Sequence, residues 1–105
     1  MPLTREFRET VHARANRDPA YRRALLREGL ECLLEGDLDT GKSVLRDYIN
    51  ATVGFEELGA LIGTSPKSLM RMLGPSGNPR ANNLLGIIAK LQELEGVRFG
   101  VRTAG

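Results

Sequence analysis

The segment GDLDTGKS, residues 36–43, matches the pattern of a phosphate-binding loop letter for letter. In such a loop a buried strand leads into the glycine-rich turn, a helix follows, and backbone N–H groups and the lysine surround the phosphates. Here the preceding residues, ALLREGLECLLE, have a leucine-rich helical pattern, and the rest of the chain supplies no parallel sheet. Asp37 and Asp39 would also point carboxylates at the anion. The segment therefore predicts a joint between two helices rather than a nucleotide site, with Gly41 and Lys42 in the first turn of the second helix.

Side chains that commonly catalyse reactions or bind metals are few and isolated. His12, the only histidine, lies on an arginine-rich stretch, so we expect it at the surface rather than in a metal site. Cys32, the only cysteine, has no histidine in its element, which predicts a small packing residue rather than a nucleophile. Glu56 and Glu57 are adjacent on a predicted helix and diverge by roughly 100°, so they cannot act as a paired acid and base. We predict no enzymatic activity, no metal site and no cofactor.

Length and composition indicate one globular domain. The 105 residues are 41% hydrophobic and 27% charged, proportions that are typical of a soluble protein with a single modest core. No apolar run approaches ~20 residues, so we predict no membrane span. The N-terminus has no apolar stretch that could serve as a signal peptide, and a lone cysteine cannot form an internal disulfide. We therefore expect a cytoplasmic protein.

Apolar spacing predicts helices along almost the whole chain. The first helix has an apolar residue at every fourth position over residues 3–15. Asp18 and Pro19 form a cap and first-turn pair for a second helix with a broad leucine face. Asp39 or Thr40 can cap a third helix, whose buried face would include Leu45 and Ile49.

The end of the chain combines a long helix with an alternating tail. The helix stops near Gly96 and has its apolar residues on one side, namely Ala81, Leu84, Leu85, Ile88, Leu91 and Leu94. In the tail, Val97, Phe99 and Val101 face one way and Arg98 the other, which predicts a short β-strand. Because one strand is not stable alone, we expect it to pair with a second copy of the chain or with a partner.

The strongest functional signal is FEELGALIGTSPKSLMRMLG, residues 55–74. Two short helices that cross steeply around a tight turn need a very small residue where their backbones meet, and Gly59 lies there. The turn itself needs a residue with positive φ, which Gly63 supplies. Ser65 can cap the second helix, with Pro66 in its first position. Apolar residues suited to the core between the helices are Leu58, Ile62, Leu69 and Met72. Together these features predict a DNA-binding helix-turn-helix.

The second helix of this motif divides into two faces. Its inward arc contains Leu69, Met72 and Leu73. Lys67, Ser68 and Arg71 share the opposite arc near the N-terminal end, which recognition helices insert into the major groove. Arg71 is suited to guanine O6 and N7, whereas Ser65 and Ser68 are suited to base edges or phosphates. Met70 lies at the boundary, where it either meets a thymine methyl group or completes the core; we favour the core.

Positive charge is concentrated around this motif. Residues 41–105 contain eight basic and five acidic residues, a net charge of +3. Residues 63–90 contain no acid and four cations: Lys67, Arg71, Arg80 and Lys90. Such a stretch is either a solvated surface or the footprint of an anionic polymer. Arg80, Asn82 and Asn83, at the start of the last helix, are suited to phosphate contacts that fix the register on DNA.

From about Asp39 to Glu95 the sequence resembles the helix-turn-helix antitoxins of bacterial toxin–antitoxin modules, the HigA-like group of the lambda-repressor-like fold. The matching segments are LGALIGTS, SLMRML and the loop GPSGNP ahead of a final helix. The earlier ALLREGLECLLEGDLDTGKSVLRDYI is also similar, though less specifically, so that about three quarters of the chain is covered. The resemblance implies a dimer that binds its own promoter and neutralises a RelE- or HigB-like ribonuclease toxin. Glu57 departs from the family, which often has a phosphate-binding glutamine there; we expect a local salt bridge instead.

Together these observations predict an all-α protein of about five helices, with a lambda-repressor-like helix-turn-helix and a short C-terminal β-strand. Residues 1–36 would form a helical extension packed on the same core, residues 37–96 the DNA-binding domain, and residues 97–105 the tail.

The predicted function is that of a sequence-specific autorepressor and antitoxin, acting on double-stranded DNA as a homodimer at a palindromic operator. The last helix with the tail, or the N-terminal helices, could form the dimer contact. The N-terminal leucine face either binds a toxin or only buttresses the fold. A regulator without a toxin partner and an interaction module that has lost DNA binding remain alternatives.

Overall fold

A computed structural model describes residues 12–103 of the chain, and all regular structure in this part is helical. Residues 12–17 are already helical where the described part begins (α1), and five further helices follow: α2 Pro19–Leu34, α3 Leu38–Ala51, α4 Phe55–Ile62, α5 Pro66–Met72 and α6 Ala81–Glu95. The predicted all-α class is confirmed. Most of the predicted first helix, over residues 3–11, lies outside the described residues. Within residues 12–103, no helix has the length and apolar character needed to cross a membrane.

Helices α2 and α3 form a closely packed pair. Asp18 caps α2 as predicted, since its carboxylate accepts a hydrogen bond from Tyr21 N at 3.1 Å. The close approach depends on Gly41, because a Cβ atom there would lie 2.6 Å from Leu33 Cδ2. The predicted cap of α3 at Asp39 or Thr40 is wrong by two or three residues. Asp37 is the cap, and its Oδ1 accepts from Thr40 N at 3.1 Å.

One hydrophobic core joins the helices from α2 to α6. Its buried residues are Leu26, Leu45, Tyr48, Ile49, Phe55, Leu58, Leu69, Leu73, Ile87, Ile88 and Leu91. Leu58 of α4 and Leu69 of α5 are both fully buried in it, so the inner faces of these two short helices are fixed by the same core. The orientation of α5 therefore depends on the whole bundle.

The predicted C-terminal strand is absent from residues 97–103, which contain no regular structure. Gly96 ends α6 in the left-handed region with φ of 74°, as predicted. The chain then turns back on α6, because Val97 N donates to Gln92 O at 3.0 Å and Phe99 N donates to Gln92 Oε1 at 2.8 Å. The apolar alternation reflects the packing of Phe99 against the core rather than sheet pairing.

A buried ionic network joins three helices. The Glu95 side chain at the end of α6 is only 4% exposed. Both of its carboxylate oxygens accept from Arg22 Nε, at 3.1 and 3.2 Å, and Oε1 also accepts from the Tyr48 hydroxyl at 2.6 Å. Burial and the hydrogen bond to Glu95 raise the pKa of Tyr48 well above its ordinary value. The network fixes α2, α3 and α6 against one another.

Candidate nucleic-acid interface

The turn between α4 and α5 has the geometry that the sequence predicts. Gly63 ends α4 with φ of 71°, and its N–H bonds to Gly59 O, as does Thr64 N at 3.0 Å. A Cβ atom on Gly59 would collide with the carbonyl oxygen of Thr64, and the next nearest atom is Pro66 N at 3.4 Å. The turn and the first residue of α5 therefore lie directly on the backbone of α4, and only glycine fits there.

Ser65 and Ser68 form a small hydrogen-bonded pair at the N-terminus of α5. Ser65 Oγ accepts from Ser68 N at 3.1 Å, which caps the helix as predicted, and it donates to Ser68 Oγ at 2.9 Å. The bond between the two hydroxyls uses one of their protons and leaves the other for a phosphate or a base edge. Ser65 is exposed and Ser68 half-buried, so both predicted contact serines lie at this helix end.

The two faces of α5 separate largely as the 100° spacing predicts. Leu69 and Leu73 are fully buried, whereas Lys67 and Arg71 are exposed. Met70 is 47% exposed, so the preference for a core position is wrong. Leu69 and Leu73 occupy the buried arc, and Met70 lies beside that arc rather than within it. The outward surface thus contains an apolar side chain as well as two cations.

The remaining predicted contact residues lie at the start of α6. Arg80 is the exposed N-cap residue, although its side chain makes no capping hydrogen bond. Asn82 and Asn83 are exposed and line an open cleft of about 250 Å³ together with Thr64 and Met72. The fold therefore brings the two asparagines beside the helix-turn-helix.

The cations of this region differ in their ionic partners. Lys90 Nζ pairs with Glu93 Oε2 at 3.0 Å. Within residues 12–103, Lys67, Arg71 and Arg80 have no ion-pair partner. Their charges remain available to an external anion.

Glu57 does not form the predicted local salt bridge with any residue in the range 12–103. It is exposed in the first turn of α4, where a carboxylate is favourable for the helix dipole. Its side chain borders a cleft shared with Tyr48 and Glu95.

Two cations of α3 contribute to this region in a way that the sequence did not predict. Lys42 is only 2% exposed, and its Nζ donates to Gly74 O at 2.9 Å and to Gly77 O at 2.6 Å. Arg46 Nη1 donates to Leu73 O at 3.0 Å. Lys42 of the phosphate-loop pattern thus holds the protein's own backbone. Its place in the buried stripe of α3, three residues before Leu45, was the signal that it needed internal partners.

The isolated His12 and Cys32 occupy unremarkable positions. His12 is exposed, which confirms the predicted surface position. Cys32 is half-buried in α2, and burial, with a smaller contribution from Asp37, raises the pKa of its thiol. A raised pKa lowers the thiolate fraction, which is consistent with packing rather than nucleophilic chemistry.

Comparison of the chain with protein-family models, with curated proteins and with solved structures gave no match.

Proposed function

We propose that this protein is a sequence-specific regulator that binds double-stranded DNA through α5. The observation that carries the proposal is the joint between α4 and α5, in which Gly59 and Gly63 permit a close turn and α5 keeps Lys67 and Arg71 exposed. Exposed cations along the outer face of a supported short helix, with Lys67 in its first turn and Arg71 in its last, are suited to insertion into the major groove.

The contact residues divide into two groups by chemistry. Arg71, in the last turn of α5, can donate two hydrogen bonds to guanine O6 and N7. The hydroxyl proton left free in the Ser65–Ser68 pair can reach a base edge or a phosphate. Lys67 adds positive charge in the first turn of α5. Arg80 and the amides of Asn82 and Asn83 are suited to phosphates, which position the protein without reading sequence. Ser65 is a contact residue at the same helix end, where it also caps α5.

A homodimer on a palindromic operator is part of the proposal. One helix of seven residues covers too few base pairs for specificity, whereas two copies bind half-sites about one DNA turn, ~34 Å, apart. Each candidate dimer surface has an exposed leucine, since Leu85 of α6 is 62% exposed and Leu34 at the end of α2 is 73% exposed. Single exposed leucines are common, so they do not choose between the two surfaces.

The resemblance to HigA-like proteins extends the proposal to an antitoxin that represses its own operon in the cytoplasm and neutralises a RelE- or HigB-like toxin. Most of the α2 leucines, Leu25, Leu26, Leu30 and Leu33, belong to the core or pack against it. Leu34 therefore marks the part of the N-terminal leucine face that is available to a toxin. The alternative is a stand-alone regulator, in which that face only buttresses the fold.

DNA binding is tested by titrating the protein against labelled DNA from upstream of its own gene, in competition with scrambled DNA of equal composition. Arg71→Glu should abolish selective binding by placing a carboxylate against the bases and phosphates. Arg23→Glu makes the same charge change on an exposed residue of α2 and should leave selectivity intact. Equal affinity of the wild type for upstream and scrambled DNA would refute the proposal.

The toxin partner is tested separately by co-expression with the product of the adjacent gene and a pull-down. A stable complex with a short basic ribonuclease would support the antitoxin proposal. Its absence, together with selective DNA binding, would favour the stand-alone regulator.

A further inference from the structure

The buried Lys42 ammonium is the least expected polar group in the described part of the molecule. A buried cation is destabilising unless hydrogen bonds replace its hydration. Two of its three protons point to Gly74 O and Gly77 O, and Asp39 Oδ1 lies 3.8 Å away on a carboxylate that is 89% exposed. Its two carbonyl partners both belong to the loop that follows α5. Lys42 therefore bonds α3 to this loop at two points.

The same loop lies directly against α5. A Cβ atom on Gly77 would collide with the carbonyl oxygens of Arg71 and Met72. Gly77 N also donates to Gly74 O at 3.0 Å, which closes the loop into a tight turn. Since Arg80 follows only three residues later, the place of this turn fixes where the exposed start of α6 lies relative to α5.

Arg46 extends the contact to the last turn of α5. Lys42 and Arg46 are four residues apart and so share one face of α3. Arg46 donates to Leu73 O, the C-cap residue of α5, at 3.0 Å. Two cations at a helix C-terminus also interact favourably with the helix dipole. The end of α5 opposite Ser65 is thus held by α3.

We propose that Lys42, assisted by Arg46, is a positioning residue for DNA binding. Lys42 holds the loop 74–80 against α5. Arg80 and the asparagines of α6 then contact the phosphates of the same DNA site whose bases α5 reads. This inference rests on the proposed function. Lys42 itself does not touch DNA, since it is buried among backbone carbonyls. Its effect is transmitted through the loop.

The test compares wild-type protein with Lys42→Met, which keeps the length of the side chain but removes its donors. Hydrogen exchange reports the amides of Gly74 and Gly77, which donate to Arg71 O and Gly74 O. DNA titrations at several salt concentrations report affinity and its salt dependence. Lys42→Met should speed exchange in the loop and weaken binding on the order of tenfold, because the phosphate contact of Arg80 is no longer held in place. The slope of log K against log salt is negative, and its magnitude should decrease by about one, the value for one lost phosphate contact.

Further variants separate positioning from general destabilisation and from loss of charge. Gly77→Ala forces the loop away from α5 without removing a charge, so it should reproduce both the faster exchange and the smaller slope. Gly100→Ala is the matched control, because nothing lies within 4 Å of a Cβ atom there. Ile49→Val weakens the core in α3 and should leave the loop and the slope unchanged.

The outcomes distinguish this inference from the proposed function. Normal wild-type binding, with an unchanged slope in Lys42→Met and Gly77→Ala, would overturn the inference and leave the proposed function standing. A wild type that binds no DNA would overturn the proposed function, and the role in DNA binding with it. If Lys42→Met does not fold, Gly77→Ala decides by the same two measurements.

Discussion

Replacing Gly59 with alanine tests whether the start of α5 lies directly on the backbone of α4. The added methyl group would collide with the carbonyl oxygen of Thr64. A backbone carbonyl in a tight turn cannot rotate away as a flexible side chain can, so the cost should be in the upper part of the ~1–3 kcal/mol range for overpacking. Alanine regains about 1 kcal/mol in helix propensity over glycine. The expected net loss in the free energy of unfolding is about 1–2 kcal/mol.

Gly86 in α6 provides a matched control for this measurement. It is an exposed helical glycine, and no atom lies within 4 Å of a Cβ built on it. Gly86→Ala should therefore stabilise the protein by up to ~1 kcal/mol, opposite in sign to Gly59→Ala. In thermal unfolding followed by circular dichroism, Gly59→Ala should lower Tm by on the order of 5–10 °C. If both variants raise Tm equally, the close approach of α4 and α5 is wrong, and the helix-turn-helix assignment fails with it.

Three further predictions concern the interface and the ionic network. Arg71→Ala should weaken operator binding by ~1–3 kcal/mol and relax the preference at one base position, as measured with a set of operator variants; unchanged affinity would contradict the base contact. Arg80→Ala should weaken binding to all sequences alike and reduce the salt slope by about one, so a loss confined to the operator would contradict a phosphate role. The pKa of Tyr48 is higher in the folded protein than in the unfolded chain. The neutral Tyr48 hydroxyl therefore stabilises the fold fully below the ordinary tyrosine pKa, about 10, and this stabilisation is lost as pH rises above that value. The variant Tyr21→Phe leaves Tyr48 as the single tyrosine. As pH rises, its tyrosinate absorbance should appear together with loss of helical circular dichroism. Tyrosinate absorbance in a protein that is still folded would contradict the buried hydrogen bond to Glu95.

Features set by neighbouring residues could be predicted from the sequence. Gly63 and Gly96 end helices because each is a glycine directly after an apolar periodic segment. Ser65 caps α5 because it precedes Pro66 and has Ser68 three residues on. Each signal lies within a few residues of the bond that it makes, so the pattern contains both partners.

Features set by distant partners could not be predicted. Lys42 donates to Gly74 and Gly77, which lie 32 and 35 positions further along the chain, and Arg22 donates to Glu95, 73 positions further along. A polar residue in an apolar stripe indicates that a partner exists, but its identity depends on how the helices pack. The predicted C-terminal strand is wrong for a related reason. The apolar alternation is typical of a strand, but Phe99 packs on the core and its N–H donates to Gln92 Oε1.

The shortness of α5 explains why such distant contacts matter to the proposed interface. A helix of seven residues is not stable by itself in water, so its form and direction must come from its surroundings. Ser65 holds the N-terminal end, and Arg46 supplies a donor to the C-cap carbonyl of Leu73 at the other. Leu69 fixes the inner face, because it is fully buried between the two ends. Arg71 lies in the last turn, so the direction in which its guanidinium points depends on the contacts from α3 as much as on the turn after α4. A substitution in α3 should therefore alter the proposed DNA-binding surface without changing any residue on it.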